Sequence, residues 1–131
     1  MSGTAKGLTA WHSYMHAPSK PALEAMIAEA AVFHSPVVHT PQAGRAKVVA
    51  YLWAAAHVLG NPSFRYLREI VSDEGAMLEF AAEIDGITVN GVDIIAWDES
   101  GLITDFKVMV RPLKAINMLH AMMGAQLAAK G

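Results

Sequence analysis

The sequence predicts an α+β fold in which a curved antiparallel β-sheet is packed by helices on one face. Three observations carry this. Apolar residues recur at helical spacing in three stretches of the first 59 residues and again at the end of the chain. Between residues 64 and 110 they alternate with polar ones in four successive runs. Those runs are joined by "SDEG", "IDG" and "WDESG", connections so short that consecutive strands must be antiparallel neighbours. Helices segregated from a meander, in the order ααβαββββα, are the pattern of an α+β domain.

Residues 1–6 are expected to form a loose N-terminal tail. Leu8, Trp11 and Met15, with Tyr14 beside them, suit a short amphipathic helix that ends before Pro18. Ser19 is placed to cap a second helix, with Pro21 in its first turn and Leu23, Met26, Ile27 and Ala30 as its apolar stripe. "AVFHSPVVHTP" then turns to β-branched and aromatic residues, which predicts a short strand ending at Pro36 and an irregular loop after it. Gly44 opens a third helix from Arg45 to Leu59, stopped by Gly60-Asn61-Pro62. Phe64–Ser72, Met77–Ile84, Ile87–Trp97 and Leu102–Val110 read as the four strands, and Pro112 starts a last helix.

A chain of 131 residues fits one domain, here 1–131. With 53% hydrophobic and 17% charged residues it has material for a core and for a lined cavity. Ten basic residues against twelve acidic ones, with no basic block, give no expectation of nucleic-acid binding. The absence of cysteine excludes disulfides, thiolate zinc sites and Cys nucleophiles. No signal-peptide core opens the sequence, and the longest charge-free run, Val48 to Phe64, is broken by polar residues and Pro62, so a cytoplasmic protein without a membrane partner is expected. Neither a P-loop nor a G-x-G-x-x-G follows a strand, and no cofactor is expected. His12 and His16 share a helix face at i, i+4, but no third ligand lies near them in sequence, and no metal site is expected.

The residue that raises a chemical question is Asp93, in "GVDIIAW". Alternation puts Asp93, Ile95 and Trp97 on one face of their strand and Val92, Ile94 and Ala96 on the other. In the next strand Phe106, Val108 and Val110 form the apolar face, opposite Asp105, Lys107, Met109 and Arg111. Asp93 is therefore expected among pocket residues, where burial favours the neutral acid and a protonated carboxyl can donate to a carbonyl or enolate oxygen. The bland alternatives are an Asp93 that accepts bonds from a helix terminus or a Tyr, or one on the outer face. His34 suits acid–base work near neutrality, and Ser35 beside it points to the opposite face, so only one of the two can face inward. His39 belongs to the loop beyond, at the pocket mouth or in solvent. The Met cluster of "INMLHAMMGA" reads as core or subunit contact, or as a flexible lining. Glu79 and Glu83 are expected on the convex face with Lys107 and Arg111.

"FHSPV", the "GR" entry into the third helix, "FRYLREI", "GVDIIAWDESGLI" and "KVMVRPL" together resemble the NTF2-like superfamily, in particular SnoaL-like proteins, over about residues 8 to 123. The resemblance implies the NTF2-like, cystatin-like roll, a curved antiparallel β-sheet forming a cone with helices packed on its concave face and a pocket opening along that face. That scaffold hosts isomerases, cyclases, dehydratases, epoxide hydrolases and binding proteins, so the fold alone does not name a reaction. In the related ketosteroid isomerases an Asp base works with a Tyr and a protonated Asp as oxyanion donors. The second Asp falls on Asp93. The base position holds Ser35, and an ungapped count puts Trp11 at the donor Tyr, with Tyr14 about one turn away. Those two departures argue against steroid isomerisation by that mechanism.

The functional expectation is a small pocket protein, an isomerase-, cyclase- or hydratase-type enzyme acting without a cofactor on a hydrophobic, carbonyl-bearing metabolite by proton transfer. Asp93, His34 and Ser35 are the candidate catalytic residues. Trp11, Tyr14, Leu52, Phe80, Trp97, Phe106, Val108 and Val110 are the expected substrate-binding walls. The alternatives are a non-catalytic ligand-binding domain and an accessory domain that dimerises. A homodimer through the sheet is the expected assembly.

Overall fold

Turn chemistry sets the strand pairing. Asp85 and Gly86 both have positive φ, 50° and 77°, as a two-residue hairpin whose twist matches its strands requires. They bring Ile84 opposite Ile87. The structure, a computed structural model, describes residues 2–130. In chain order the elements are α1 (Thr4–His16), α2 (Lys20–Ala25), β1 (Ile27–His34), β2 (Gln42–Ala43), α3 (Arg45–Leu59), β3 (Arg65–Ser72), β4 (Gly75–Ile84), β5 (Ile87–Trp97), β6 (Ile103–Arg111) and α4 (Leu113–Lys130). One curved, unclosed sheet of six strands has the order β2-β1-β6-β5-β4-β3. Its pairings are antiparallel except β1 against β6, which is parallel.

Three local expectations are corrected. Helix α1 begins at Thr4, inside the stretch read as a loose tail; Thr4 is buried, and its hydroxyl donates to the Asp73 carbonyl at 3.2 Å. Met1 lies outside the described residues. The second helix stops at Ala25, and Ile27 already belongs to β1. The spacing of Leu23, Met26 and Ile27 fits a helix, but tertiary bonds take over the backbone: Ile103 N–H donates to the Met26 carbonyl at 2.8 Å, and Arg45 Nε donates to the Ile27 carbonyl at 2.9 Å. Ala30, expected on the apolar stripe, is an exposed strand residue. The loop after Pro36 contains a two-residue strand, β2, paired with Val32 and Phe33.

Register decides what faces the concave side. Leu78, Asp93 and Val108 form one cross-strand row, and Phe80, Gly91 and Val110 form the next. Between Tyr66 and Arg68 the β3–β4 register slips, so that Tyr66 pairs with Phe80 while Glu69 pairs with Leu78. Phe80 and Leu78 share a face, and the slip therefore brings Tyr66 and Glu69 to that same face although they are three residues apart. On the convex side Glu79, Val92 and Met109 make a row, beside Ile70, Met77 and Ile94.

The core has two centres. One gathers Trp11, Tyr14, Leu23, Phe33, Leu52, Leu78, Ile95 and Phe106 where α1, α2 and α3 meet the sheet; the other holds Val58, Phe80, Ile84, Val89, Ala115 and Leu119 under α4. Helix α1 comes close to the end of β5. A Cβ added to Gly7 would stand 2.1 Å from Cδ1 of Trp97, so the glycine is what lets the helix rest on the indole.

Gly7→Ala is therefore expected to destabilise the fold by about 1–3 kcal/mol through overpacking, even though alanine is the better helix former by about 1 kcal/mol. Urea denaturation of the two proteins measures it, and an unchanged or raised midpoint would contradict the contact.

Candidate active site

Helices α1, α3 and α4 stand over the concave face and leave a cavity of about 500 Å³ between themselves and the sheet. Its wall is mostly aromatic and aliphatic. Eight of the ten aromatic residues line it, all except Trp53 and Trp97. Of the expected walls, Trp11, Tyr14, Leu52, Phe80, Phe106, Val108 and Val110 border the cavity. Trp97 does not, because it lies beneath α1 against Gly7.

Asp93 reaches this wall from the middle of β5. It is 6% exposed, and with Thr4 it is one of two buried polar or charged residues among those described. Its Oδ2 accepts a hydrogen bond from the Tyr66 hydroxyl at 2.9 Å, and the Tyr66 oxygen accepts one from Trp11 Nε1 at 3.0 Å. Helix α1, strand β3 and strand β5 are thus joined by a single polar line through an apolar chamber. Removal from water pushes the Asp93 carboxyl from its ordinary 3.8 up to about 7, against the opposing pull of the Tyr66 bond. Burial, and then the neighbouring Asp93 charge, push the Tyr66 phenol up as well.

A second phenol is free. Tyr14 is 4% exposed, borders the cavity, and its hydroxyl is the one buried side-chain polar atom without a hydrogen-bond partner among the described residues. Burial raises its pKa to about 12, so it stays a donor across ordinary conditions. A ligand oxygen in the cavity can therefore meet a phenol and a carboxyl that is close to half protonated at neutrality. A neutral donor of this kind is worth most where water is excluded.

The two other catalytic candidates part company. Ser35 is on the cavity wall, but its Oγ accepts from Val37 N at 3.0 Å and Val38 N at 3.3 Å, which shapes the turn after β1. His34 is not on the wall: its Nε2 lies 2.9 Å from Asp105 Oδ1 on the other side of the sheet. Strand alternation forces this split, since neighbouring side chains diverge. His39 is exposed and off the wall. His12 is engaged with Glu69, at 2.6 Å.

Sequence reasoning missed Tyr66 and His120, and it left the Met-rich last helix open between core or subunit contact and cavity lining. Tyr66 was legible as a strand residue beside Phe64, but its bond to Asp93 depends on the slip in β3–β4 register. His120, Met123, Gly124 and Leu127 line the cavity from α4 at three- and four-residue spacing. The Met-rich stretch that holds them serves two purposes, with Met118 and Met122 packed against the second core cluster and Met123 against both it and the cavity.

The SnoaL-like domain family matches residues 8–106. A steroid delta-isomerase from Pseudomonas aeruginosa aligns with a TM-score of 0.91 at 32% identity, over 99% of this chain and 95% of that one. A conserved bacterial protein of uncharacterised function with a cystatin-like fold, from Silicibacter pomeroyi, aligns with a TM-score of 0.83 at 29% identity, over 92% of this chain and 84% of that one. SalBIII, an epoxide hydrolase/cyclase-like enzyme of pyran ring formation in the polyether salinomycin, shares the fold with a TM-score of 0.65 at 18% identity, over 82% of this chain and 92% of that one. No curated protein matches the chain. On its match across most of the sequence, the chain belongs to the SnoaL-like domain family, and its curved sheet and overlying helices are the fold of NTF2-like proteins.

Proposed function

We propose that the protein is a cofactor-free enzyme that moves a proton on an apolar, carbonyl-bearing small molecule, with Asp93 as the proton carrier. The observation that supports this reading best is the Asp93 carboxyl, enclosed in an aromatic cavity and held near pKa 7. A group titrating close to the working pH is suited both to accept and to return a proton. In the forward step the ionised carboxylate takes a proton from the carbon next to the carbonyl, and the C–H electron pair moves to the carbonyl oxygen as an enolate. Tyr14 is the donor available to that oxygen. The protonated carboxyl then returns the proton to the same or another carbon, and the starting state of Asp93 is restored. The activity for which the Pseudomonas relative is named, steroid delta-isomerisation, belongs to this class of chemistry.

One observation favours the non-catalytic alternative: His34, a stronger base candidate than Ser35, is turned out of the cavity toward Asp105. Exchange chemistry separates the two readings without knowledge of the natural substrate. In heavy water the protein is expected to accelerate deuterium uptake beside the carbonyl of cyclic ketones, followed by NMR, and Asp93→Asn is expected to lower that rate by about a hundredfold or more. Ketones that bind with no exchange above buffer would leave ligand binding as the better reading.

The same carboxyl makes stability depend on pH. In the unfolded chain it releases its proton near 3.8, whereas in the fold it holds it to about 7. Between these values the folded state binds more protons, so its contribution is complete below the lower value and is lost as pH rises through the upper one. At about 1.4 kcal/mol per pH unit the loss is on the order of 4 kcal/mol. Asp93→Asn should remove that slope, so that in urea titrations the variant gains on the parent as pH increases. Parallel curves across the range would sink the assignment.

A homodimer through the convex face is the assembly that the surface chemistry supports. Ile70, Met77 and Met109 are exposed there at 62%, 43% and 53%. Arg68, Glu79, Asn90 and Arg111 run between them in one bonded line: Arg68 to Glu79, Asn90 to Glu79, and Arg111 to Asn90. A patch carrying apolar groups and both signs of charge can match a second copy of itself about a two-fold axis. Sedimentation should give a dimer that Met109→Asp dissociates; a monomer at high micromolar concentration would refute it.

A further inference from the structure

Gly124 stands in the middle of α4, where a glycine weakens a helix and normally has a reason in packing or backbone conformation. Neither applies. The helix runs unbroken from Leu113 to Lys130, and a Cβ added at Gly124 would meet nothing within 4 Å among the described residues. It borders the cavity, on one stripe with His120, Met123 and Leu127. Across the gap, α3 presents Ala55 and Ala56 to the same space. Gly124 and His120 are exposed, which makes this end of the cavity its rim.

The cavity therefore has two unlike ends. Trp11 and Tyr14 belong to the first core cluster and Val58 and Leu119 to the second, while Tyr66 and Val108 touch both. Polar donors sit at the first end and in the middle: the unpartnered Tyr14 hydroxyl, and Asp93 bonded to Tyr66. Toward α4 the wall is apolar apart from His120, and the small positions on it are Ala55 and Ala56 on α3 and Gly124 on α4.

We propose that Gly124 is a size-determining residue, keeping open the gap between α3 and α4 so that the hydrocarbon end of an elongated ligand extends there while its oxygen sits at Tyr14 and Asp93. The ligand class is a carbonyl compound with an apolar extension. The inference rests on the cavity being a ligand site, and it deepens that reading by giving the ligand a direction and a length.

Straight-chain methyl ketones of increasing length, with the alkanes of equal length as controls, test it by titration calorimetry on the full chain. In the parent protein affinity should rise roughly fourfold per added methylene up to a cut-off. Gly124→Leu should leave short ketones unaffected, shorten the cut-off, and weaken the longest ligands by about tenfold or more. Gly124→Ala should raise the melting temperature by a few degrees, as expected where a helical glycine has no packing duty, and this separates loss of ligand from loss of fold. Equal binding of long ketones by the parent and Gly124→Leu would overturn the proposal. So would weakening of short and long ligands alike, or affinity in the parent that does not depend on length. The Asp93 reading stands apart from these outcomes: it fails if ketones bind no better than alkanes, whereas the Gly124 step can be read from either series.

Discussion

The hydrogen bond from Tyr66 to Asp93 is the constraint around which the rest of the site is arranged. A carboxyl carried into an apolar chamber must be paired or protonated, and among the described residues this one has a single side-chain donor, the Tyr66 phenol. That donor is in reach because the register of β3 slips after Tyr66. The phenol oxygen is in turn held by Trp11 Nε1 from α1. Position of the helix, slip in the strand and state of the acid are therefore coupled: a shift of α1 would release Tyr66, and a released Tyr66 would leave Asp93 without its partner.

The same line explains why Asp93 is neither an ordinary ion nor a fully neutral acid. Burial raises its pKa, while the phenol donates to one oxygen only and pulls back against that rise. Its value near 7 is the balance of two opposed effects. Tyr14 sits outside that balance, with its hydroxyl free. Asp93, able to exchange a proton, and Tyr14, able only to donate a hydrogen bond, are set on the same wall, which suits a ligand with an oxygen-bearing end.

Glycine has opposite meanings at two places in the molecule. At Gly7 the missing side chain is a packing necessity, since the Trp97 ring occupies the space. At Gly124 no atom stands within 4 Å of the Cβ position, and the residue borders the cavity. Composition treats the two residues alike. Only the neighbour that a Cβ would meet distinguishes a structural glycine from one that shapes a ligand site.

Much of the architecture is written in local chemistry. Period-two runs and Asp-Gly turns determined the meander, with β5 at Ile87–Trp97 and α3 at Arg45–Leu59 as the residues implied. Alternation alone put Asp93 on the same face as Ile95, with Val108 and Phe106 on the facing strand. What the sequence could not decide were choices between local patterns that look the same. Leu23, Met26 and Ile27 fit a helix as well as they fit a turn into β1, and it was the bonds from Ile103 and Arg45 that selected the strand. Alternation said that His34 and Ser35 diverge, but the pairing of β1 with β6 decided which one met Asp105 and which one met the cavity. The Trp11–Tyr66–Asp93 line joins residues 27 and 55 positions apart. Short-range periodicity determines the elements and their faces because those follow from backbone geometry, whereas register, helix seating and the partner of a buried acid are set by contacts distant in sequence, which only the folded chain brings together.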